Sequence, residues 1–391
     1  MRRLGVLGGT FDPIHEGHLA LARQALKQCA LDKVLLLPMA QPAHRRPAAD
    51  IADRMAMCRL AIADEPGLLL SEAGGQGAAQ YTVETLHVLR RQYPDARFTL
   101  ILGADKLPTL PYWREADKLF SLCDFLCFPR AGVDAQTALE RAREAGARVT
   151  MLDGAQVPYS ATIIRARTAQ YEDAPGLPLR VLCYMAQRGL YQPNFEPQLK
   201  TMMNPRRFRH TLGVRREAVR LAALHGAPVQ KAALAGLLHD CAKGMPLAAM
   251  AQIARENCLT DCKEFLSSGA MLHGPVGAYI ARERFGVHDE DVLSAIRSHT
   301  VGRPGMSRLE LCVFVADATE PGREDYDGLA QIRALAEKSL PAAALYSLYQ
   351  TRAFLETTNR PFFPIAEETC AYLEGILTPQ EKQWLCQAGR P

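Results

Sequence analysis

The chain has 391 residues, a formal net charge of +4 at pH 7 and 48% hydrophobic residues. This length exceeds that of one ordinary domain, so we expect two domains, each with enough apolar side chains for a core. The small, dispersed positive charge argues against a nucleic-acid or membrane protein and favours small phosphorylated ligands. Eleven cysteines without CxxC pairs indicate reduced thiols. No signal pattern and no apolar run near the roughly 18 residues of a membrane span are present, which predicts a cytoplasmic protein.

The first motif is GVLGGTFDPIHEGH, at residues 5–18. An apolar segment ends in Gly8 and Gly9 and leads to His15 and His18, which open an apolar helix pattern. A strand that ends in glycines before a helix lets backbone N–H groups approach a phosphate, which the helix dipole also favours. The three-residue spacing puts both imidazoles on one helix face. For a lone glycine pair a plain surface turn is the alternative, but this string predicts a nucleotide site.

Strand and helix patterns alternate after this motif. Helices are predicted at residues 19–30, 54–63 and 82–91, and apolar strands at 33–38, 98–103 and 124–129. This alternation favours an α/β fold with a doubly wound parallel sheet. Ligands of such sheets bind beyond the carboxyl ends of the strands, where polar motifs follow in this sequence.

The opening string resembles the HxGH nucleotidyltransferase superfamily, and its GGTFDPIHxGHL form resembles bacterial nicotinate-nucleotide adenylyltransferases. Further motifs of that family follow in the same order: PMAQPAHR at 38–45, YTVETL at 81–86, GAD at 103–105 with Trp113, and SATIIR at 160–165. Each motif is weak alone, but the ordered set is specific. Ala43, Gln80 and Ala161 depart from the family pattern, which weakens the assignment of individual hydrogen bonds, and Arg45 stands where the family has lysine.

This resemblance implies adenylyl transfer from ATP to nicotinate mononucleotide, with release of pyrophosphate. The reaction depends on positioning and on neutralising phosphate charge, with Mg²⁺ bound by the ATP phosphates. The resemblance makes His15, His18 and Arg165 the catalytic residues, with Trp113 stacked on the pyridine ring. It also implies a set of nucleotide- and substrate-binding residues: Gly8, Gly9, Thr10, Phe11, His44, Arg45, Tyr81, Thr82, Thr85, Gly103, Asp105, Trp113, Ser160 and Thr162. A phosphopantetheine adenylyltransferase is the alternative, but YTVETL and Trp113 favour the pyridine nucleotide.

The composition changes near residue 193. We predict a first domain at 1–192, a proline-containing linker at 193–204 and a second domain at 205–391. Helix patterns dominate this second part, at 206–225, 229–241, 247–257, 276–285, 290–299 and 307–319, which predicts an all-α domain. The segment at 307–319 is apolar almost throughout but contains Asp317, a carboxylate that needs a partner or a metal. The tail from residue 340 has a helical, amphipathic pattern.

Histidines accompany several of these helices. His239 and Asp240 end one apolar helix pattern, while His210, His273 and His299 lie on or beside others. Imidazoles and carboxylates that project inward from different helices form metal sites in bundles. The alternative for the His239–Asp240 pair alone is a helix C-terminus with a cationic cap.

The whole set resembles the HD phosphohydrolase superfamily. The strings HTLGV, GLLHDCAK, LHGPVGA, SHTVG and VADATEPGR resemble more narrowly the YqeK-type symmetrical diadenosine tetraphosphate hydrolases. The resemblance implies that one metal binds to His210, His239, Asp240 and Asp317, that His273 and His299 support a second, and that Asp240 is catalytic. It favours iron, with manganese or zinc as alternatives. Two metals hold a phosphate and a hydroxide in line, and the family's reaction gives two ADP.

Three cations of this half, Lys243, Arg303 and Arg323, are expected to neutralise the remaining phosphates, although each alone is as well explained by a surface ion pair. The sequence as a whole predicts a bifunctional enzyme whose substrates are ATP, nicotinate mononucleotide and diadenosine tetraphosphate. A second half that hydrolyses another nucleotide, or only senses nucleotides, is the alternative. No nucleic-acid or membrane partner is expected, and a homo-oligomer is left open.

Overall fold

The structure is a computed structural model that describes residues 2–40, 46–74, 81–129, 135–153, 158–260 and 262–389. Contacts divide the chain into two compact units. The first contains Met1–Arg167 and Ala174–Tyr184, and the second contains Thr168–Asp173 and Met185–Pro391. No helix in the described part of the chain has the length and apolar character that a membrane span requires.

A six-stranded sheet organises the first unit. Its strands are β1 (Arg2–Gly9), β2 (Lys33–Pro38), β3 (Leu68–Leu70), β4 (Ala96–Gly103), β5 (Cys123–Phe128) and β6 (Val149–Met151). Every pairing is parallel, in the order β3-β2-β1-β4-β5-β6, which confirms the predicted doubly wound sheet. The edge strands β3 and β6 were not predicted, because three residues are too few to show a period.

Helices lie between these strands and follow the last of them. They are α1 (Glu16–Gln28), α2 (Ile51–Ala61), α3 (Thr82–Gln92), a 3₁₀ helix (Ala104–Tyr112), α4 (Ala116–Leu122), α5 (Ala135–Glu144), α6 (Ala161–Ala169) and α7 (Leu179–Arg188). The apolar strand residues Val6, Leu35, Phe98 and Phe125 are buried in the core that these helices cover. Burial of strand residues on both faces explains their near-continuous apolar runs.

The strand order reverses between β1 and β4, in the middle of the sheet. Leu7 pairs with Ile101 in these strands. Gly9 and Gly103 each follow two residues later, so the glycines that end both strands lie at the same edge. A reversal of this kind opens a crevice beyond the strand ends, where ligands bind.

The second unit is helical in its described residues, as predicted. Its helices are α8 (Glu196–Met202), α9 (Pro205–His225), α10 (Val229–Leu238), α11 (Leu247–Glu256), α12 (Lys263–Leu266), α13 (Gly269–Phe285), α14 (Glu290–Ser298), α15 (Arg308–Thr319), α16 (Leu329–Ala336), α17 (Leu340–Thr357), α18 (Pro364–Ile376) and α19 (Pro379–Gln387). The apolar helix α15 is buried and packs against α9, α10, α14, α16 and α17.

Two local predictions in this half differ from the structure. The segment predicted as a linker contains α8, because Pro197 lies in the first turn, where a missing N–H costs nothing, and Leu199 is buried. The limits of the two domains themselves stay a prediction. Helix α13 begins at Gly269 rather than at residue 276, so His273 lies inside it. Gly274 and Pro275 do not open the helix; Gly274 allows close packing, since a Cβ there would lie 2.5 Å from the carbonyl oxygen of Arg297.

Candidate active sites

His15 and His18 lie at the start of α1, directly beyond β1. Nδ1 of His15 accepts the N–H of Gly17 at 3.1 Å, and Nδ1 of His18 accepts the N–H of His15 at 3.3 Å. The two ring centroids are 3.9 Å apart. Because Nδ1 is an acceptor in both neutral rings, the proton lies on Nε2. Each Nε2 is therefore a hydrogen-bond donor of the kind that binds a phosphate oxygen.

Arg165 of α6 joins the loop that precedes these histidines. Its Nη1 donates to the carbonyl oxygen of Asp12 at 2.6 Å and lies 3.9 Å from that residue's carboxylate. The buried Asp12 carboxylate in turn accepts the N–H groups of Ala48 and Ala49 at 2.7 and 3.0 Å. Thr162 accepts from Arg165 Nη2 at 3.4 Å, and half-buried Ser160 directly precedes α6. The structure thus brings Arg165 to the histidine loop across most of the first unit's sequence.

In the glycine-rich segment at residues 8–11, the space beside Gly8 is open, whereas Phe11 is buried. Among the described residues, nothing lies within 4 Å of the position that a Cβ of Gly8 would take. The Phe11 ring, by contrast, is buried; it packs edge-on against His18 with centroids 4.9 Å apart and would contact a Cβ on Gly9. Phe11 therefore supports the His18 ring from behind, and its ring does not face solvent.

Arg54 is a residue to which the sequence pattern gave no role. Its side chain is 1% exposed. It donates to four backbone carbonyls: Thr10 at 2.7 Å, Met39 at 2.8 Å, Ala40 at 3.2 Å and Ala49 at 3.2 Å. These bonds tie the loop after β1 to the loop after β2. A cation among the apolar residues of α2 was the available signal, although it does not reveal these partners.

Replacing Arg54 with Met keeps the side-chain bulk and removes every donor. Buried acceptors without a donor each cost about 1–3 kcal/mol, so we expect the loss of four such bonds to lower the free energy of unfolding by about 4 kcal/mol or more. We also expect the KM for ATP, the substrate that the motif resemblance implies, to rise, because the two loops lose their shared anchor. Chemical denaturation and steady-state kinetics measure both effects.

Arg59→Met is the matched control on the same helix. The Arg59 side chain is 64% exposed, and its one ion pair within the described residues is a long contact of 4.0 Å to Glu72. Surface substitutions of this kind change stability by about 0.5 kcal/mol or less. Equal effects of the two substitutions would contradict an anchoring role for Arg54.

The segment expected to recognise nicotinate begins at Tyr81, which is 44% exposed at the start of α3. The guanidinium carbon of Arg114 lies 4.3 Å from its ring centroid. Thr82 is half-buried, whereas Thr85 is buried and donates its hydroxyl to the Tyr81 carbonyl at 3.3 Å. Tyr81 is thus presented to solvent, while the Thr85 hydroxyl bonds within the helix.

The other predicted binding residues follow β4. Gly103 ends the strand, and Asp105 in the 3₁₀ helix is partly exposed, 3.4 Å from the ammonium group of Lys106. Trp113 packs partly against the core of the sheet, and its Nε1 donates to the hydroxyl of Thr109 at 3.3 Å. Two further predicted residues, His44 and Arg45, lie outside the described part of the chain.

All six predicted metal ligands converge in the second unit. Nε2 of His210 on α9 lies 2.9 Å from Oδ1 of Asp317 on α15. Nε2 of His239, which follows α10, lies 3.8 Å from the same oxygen and 3.6 Å from Asp240 Oδ2. Two groups of three residues place their ligand atoms within 4.8 Å of one another: His210, His239 and Asp317, and His239, Asp240 and His299. His239 belongs to both groups.

His273 and His299 complete the cluster from α13 and from the end of α14. Their Nε2 atoms lie 3.3 and 3.6 Å from Oδ1 of Asp240 and 3.0 Å from each other. The ammonium group of Lys243 lies 3.2 Å from Nε2 of His273 and 3.6 Å from Asp240. Asp240 therefore lies at the centre of the cluster. Its Oδ1 faces His273, His299 and Lys243. Its Oδ2 lies near His239 and forms an ion pair with Arg207.

The backbone determines which nitrogen of three imidazoles points inward. Nδ1 of His239, His273 and His299 each donates to a backbone carbonyl. These carbonyls belong to Gly236 at 2.8 Å, Gly269 at 3.1 Å and Ile296 at 2.7 Å. A carbonyl only accepts, so the proton lies on Nδ1 and the Nε2 lone pair faces the cluster. Burial lowers the pKa of His239 and of His273 to about 4, so both rings are neutral at pH 7.

The two carboxylates are ionised in this cluster. Burial acts to raise the pKa of Asp240, but the positive charge of Lys243, 3.6 Å away, counteracts burial, and that pKa lies well below its ordinary value. Burial acts likewise on Asp317, where the hydrogen bond from His210 and the charge of Arg323 outweigh it and lower the pKa. Neutral imidazoles and ionised carboxylates are the forms that bind metal.

Buried polar atoms provide a second test of this fit. Within the described part of the chain, His239 Nε2 and Asp240 Oδ1 are buried and have no hydrogen-bond partner. Such atoms are costly to bury unless something binds them. The lone pairs of His273 and His299 also face each other at 3.0 Å, an arrangement that a cation stabilises. The donor set therefore fits a divalent metal centre.

A cavity of about 1170 Å³ lies beside this cluster and is rich in cations. Lys243 and Arg323, both predicted to neutralise phosphates, line it, and Arg323 lies 3.0 Å from Asp317. Four arginines that were not predicted also line it: Arg206, Arg207, Arg209 and Arg216, all on α9. Arg303 is not among the lining residues, because its guanidinium forms two hydrogen bonds with the buried Glu310, at 2.8 and 2.7 Å.

Comparison with known proteins identifies both halves. Residues 6–167 match the cytidylyltransferase-like family and residues 207–322 match the HD domain family. A probable nicotinate-nucleotide adenylyltransferase/Ap4A hydrolase of Mycoplasma genitalium is 30% identical over 354 residues, which are 89% of this chain and 97% of the relative. The chain belongs to this family of adenylyltransferase/Ap4A hydrolase fusion proteins.

Shorter relatives match each half of the fusion protein separately. A probable nicotinate-nucleotide adenylyltransferase of Gloeobacter violaceus is 41% identical over 200 residues, covering 48% of this chain and 96% of the relative. A symmetrical bis(5'-nucleosyl)-tetraphosphatase of Halalkalibacterium halodurans is 40% identical over 183 residues, which are 47% of this chain and 95% of the relative. Both resemblances predicted from the motifs are confirmed, and the HD domain implies a divalent metal centre.

Proposed function

We propose that the first half of the chain transfers the adenylyl group of ATP to nicotinate mononucleotide, giving nicotinate adenine dinucleotide and pyrophosphate. The observation that carries this proposal is the pair of imidazoles at the start of α1, whose Nδ1 atoms accept backbone N–H groups. The relatives that match this half have the same named activity.

The chemistry asked of these residues is positioning and charge neutralisation. A phosphate oxygen of the mononucleotide attacks the α-phosphorus of ATP, and the bond to the leaving pyrophosphate breaks. His15 and His18 donate from Nε2 to the phosphate oxygens on which charge builds up, and Arg165 adds a fixed positive charge. Mg²⁺ bound by the ATP phosphates would supply the charge that neutralises the leaving pyrophosphate. The exposed Tyr81 and the half-buried Trp113 are the proposed contacts of the pyridine ring.

The second half is proposed to hydrolyse diadenosine tetraphosphate symmetrically to two ADP. The HD cluster would hold two divalent ions, one in the His210–His239–Asp317 group and one beside Asp240, and we propose iron for both. Bound ions of this kind polarise phosphate and activate water at neutral pH. The protein's own part is to hold ligand lone pairs in place and to surround a polyphosphate chain with the cations of the cavity.

A module that only senses nucleotides is not favoured for this half. A sensor needs a nucleotide pocket, but it does not need six metal-binding side chains converging on buried atoms that lack partners. The cations of the cavity suit a longer phosphate chain than a mononucleotide carries. We assign both reactions to the cytoplasm, where their nucleotide substrates are found.

The purified full-length protein tests both assignments in parallel. We expect pyrophosphate release from ATP and Mg²⁺ only when nicotinate mononucleotide is added, and ADP as the sole nucleotide product from diadenosine tetraphosphate. Phosphopantetheine is the control substrate for the first reaction. A preference for phosphopantetheine would contradict the first assignment, and release of ATP plus AMP would contradict symmetrical cleavage.

A further inference from the structure

Glu320 directly follows α15 and is a buried carboxylate beside the cluster of predicted metal ligands. It belongs to neither of the two groups of three residues whose ligand atoms lie within 4.8 Å of one another. It is 3% exposed. Its Oε1 lies 3.1 Å from Nδ1 of His210, and its Oε2 accepts the N–H of Gly322 at 2.6 Å. Both oxygens are therefore engaged, one by a metal-binding histidine and one by the backbone.

His210 differs from the other three histidines of the cluster in this contact. The Nδ1 atoms of His239, His273 and His299 donate to neutral backbone carbonyls, whereas that of His210 faces a carboxylate. Nε2, on the opposite side of the ring, faces a second carboxylate, Asp317, at 2.9 Å, so both ring nitrogens face hydrogen-bond acceptors. A metal ion that binds Nε2 would displace any proton there, and the proton that remains would lie on Nδ1, where Glu320 accepts it.

The packing of α9 makes room for this carboxylate. Gly213 lies three residues after His210, on the same side of the helix. A Cβ at this position would collide with the carboxylate of Glu320. His210 and Gly213 belong to the HTLG segment of α9, and Glu320 belongs to the EPG segment after α15. Only glycine at position 213 leaves space for the Glu320 carboxylate beside Nδ1 of His210.

We infer that Glu320 is a positioning residue of the metal centre, which keeps the His210 proton on Nδ1 and directs Nε2 to an ion in the His210–His239–Asp317 group. A carboxylate behind a metal-binding imidazole also strengthens the imidazole as a ligand, and loss of such a partner typically costs about 10–100-fold in metal affinity. The inference rests on the proposed metal centre. The competing explanation is that Glu320 only closes the end of α15 through Gly322.

A measurement of metal affinity, which needs no substrate, distinguishes a role of Glu320 in positioning His210 from a role in closing the end of α15. Full-length Glu320→Gln and Glu320→Ala are titrated with Mn²⁺ alone in competition with a chelator, and their metal content is measured by mass spectrometry. We expect about 10–100-fold weaker binding of one ion in both variants, with the larger effect in Glu320→Ala. Glutamine retains one acceptor oxygen, which can serve His210 or Gly322 but not both.

Glu217→Gln is the matched control, because Glu217 is a buried carboxylate on α9 that bonds to Arg220 at 2.7 and 2.9 Å. Its metal affinity should equal that of the wild type, even if its Tm falls. In the Zn²⁺-loaded wild type, long-range ¹H–¹⁵N spectra should show His210 protonated on Nδ1, and Glu320→Gln should weaken this signature.

Three results would overturn the inference. Mn²⁺ affinity of Glu320→Gln within twofold of wild type, with a lowered Tm, would show a structural role only. Equal loss of affinity in Glu217→Gln would trace the effect to general destabilisation. A wild-type protein that binds no Mn²⁺, Fe²⁺ or Zn²⁺ would overturn both the role of Glu320 and the proposed metal centre, whereas the first two results leave the proposed function intact.

Discussion

His239→Ala will remove metal binding and diadenosine tetraphosphate hydrolysis while adenylyl transfer continues at close to the wild-type rate. His239 is the one residue shared by both groups of ligand atoms among the described residues, so its loss takes a nitrogen from each. Loss of an outer partner alone typically costs about 10–100-fold, so we expect removal of this ligand to lower ADP release by more than about 100-fold. Metal content, ADP release and pyrophosphate release are measured on one preparation.

His225→Ala is the control for this substitution. His225 is also a histidine of the helical half, but its Nε2 lies 2.7 Å from the carbonyl oxygen of Ala336, outside the cluster. We expect full metal content and hydrolysis in this variant. Because His239 is 0% exposed, its truncation also leaves a cavity, and the Tm of the apo proteins shows how much stability is lost. A folded His239→Ala protein with unchanged metal content would refute the centre, and equal loss of both activities would refute independent sites.

The fold was predictable wherever a segment was long enough to show a period. The strand pattern at residues 33–38 is β2 without a shift, and the patterns that became β4 and β5 deviate by a few residues at their ends. The three-residue strands β3 and β6 carry no such pattern. Helix α13 was predicted too short because proline was taken as a helix start, whereas the surrounding packing tolerates Pro275 inside the helix.

Residue types in the motifs identified the two clusters but not which way each side chain faces. Phe11 and Thr85 were predicted to bind substrate, and the structure buries the ring of the first and bonds the hydroxyl of the second within α3. Arg303 was predicted to bind phosphate, which stays a prediction, and the structure shows its guanidinium paired with Glu310. A motif records which residues occur together, whereas the direction of a side chain depends on packing that the local sequence does not show.

The partners that orient the site residues were beyond the reach of the sequence. Glu320 lies 110 positions from His210, and Arg54 lies 44 positions from Thr10. Contacts over such distances leave no local periodicity. The inward direction of Nε2 in His239, His273 and His299 likewise depends on backbone carbonyls, which any residue type supplies. The ligand set therefore stays a prediction from the sequence, and the structure was needed to find the groups that position its members.

The adenylyltransferase site should depend most strongly on His18. His18→Ala removes the Nε2 donor and also the acceptor for the N–H of His15, so both imidazoles lose their arrangement. Removing one preorganised donor to a developing negative charge lowers kcat by about 100–1000-fold. We expect a loss of this size in pyrophosphate release, with a much smaller change in the KM for nicotinate mononucleotide, because the donor acts on charge that develops during the reaction.

His87→Ala provides the comparison, since His87 is an exposed histidine on α3 of the same unit. It should retain wild-type pyrophosphate release, and both variants should retain diadenosine tetraphosphate hydrolysis and metal content. A His18→Ala protein whose KM rises while kcat is unchanged would mean that the imidazole binds substrate and transition state equally. That result would move His18 from catalysis to substrate binding and would leave Arg165, held beside the same loop through Asp12, as the main charge at the reacting phosphate.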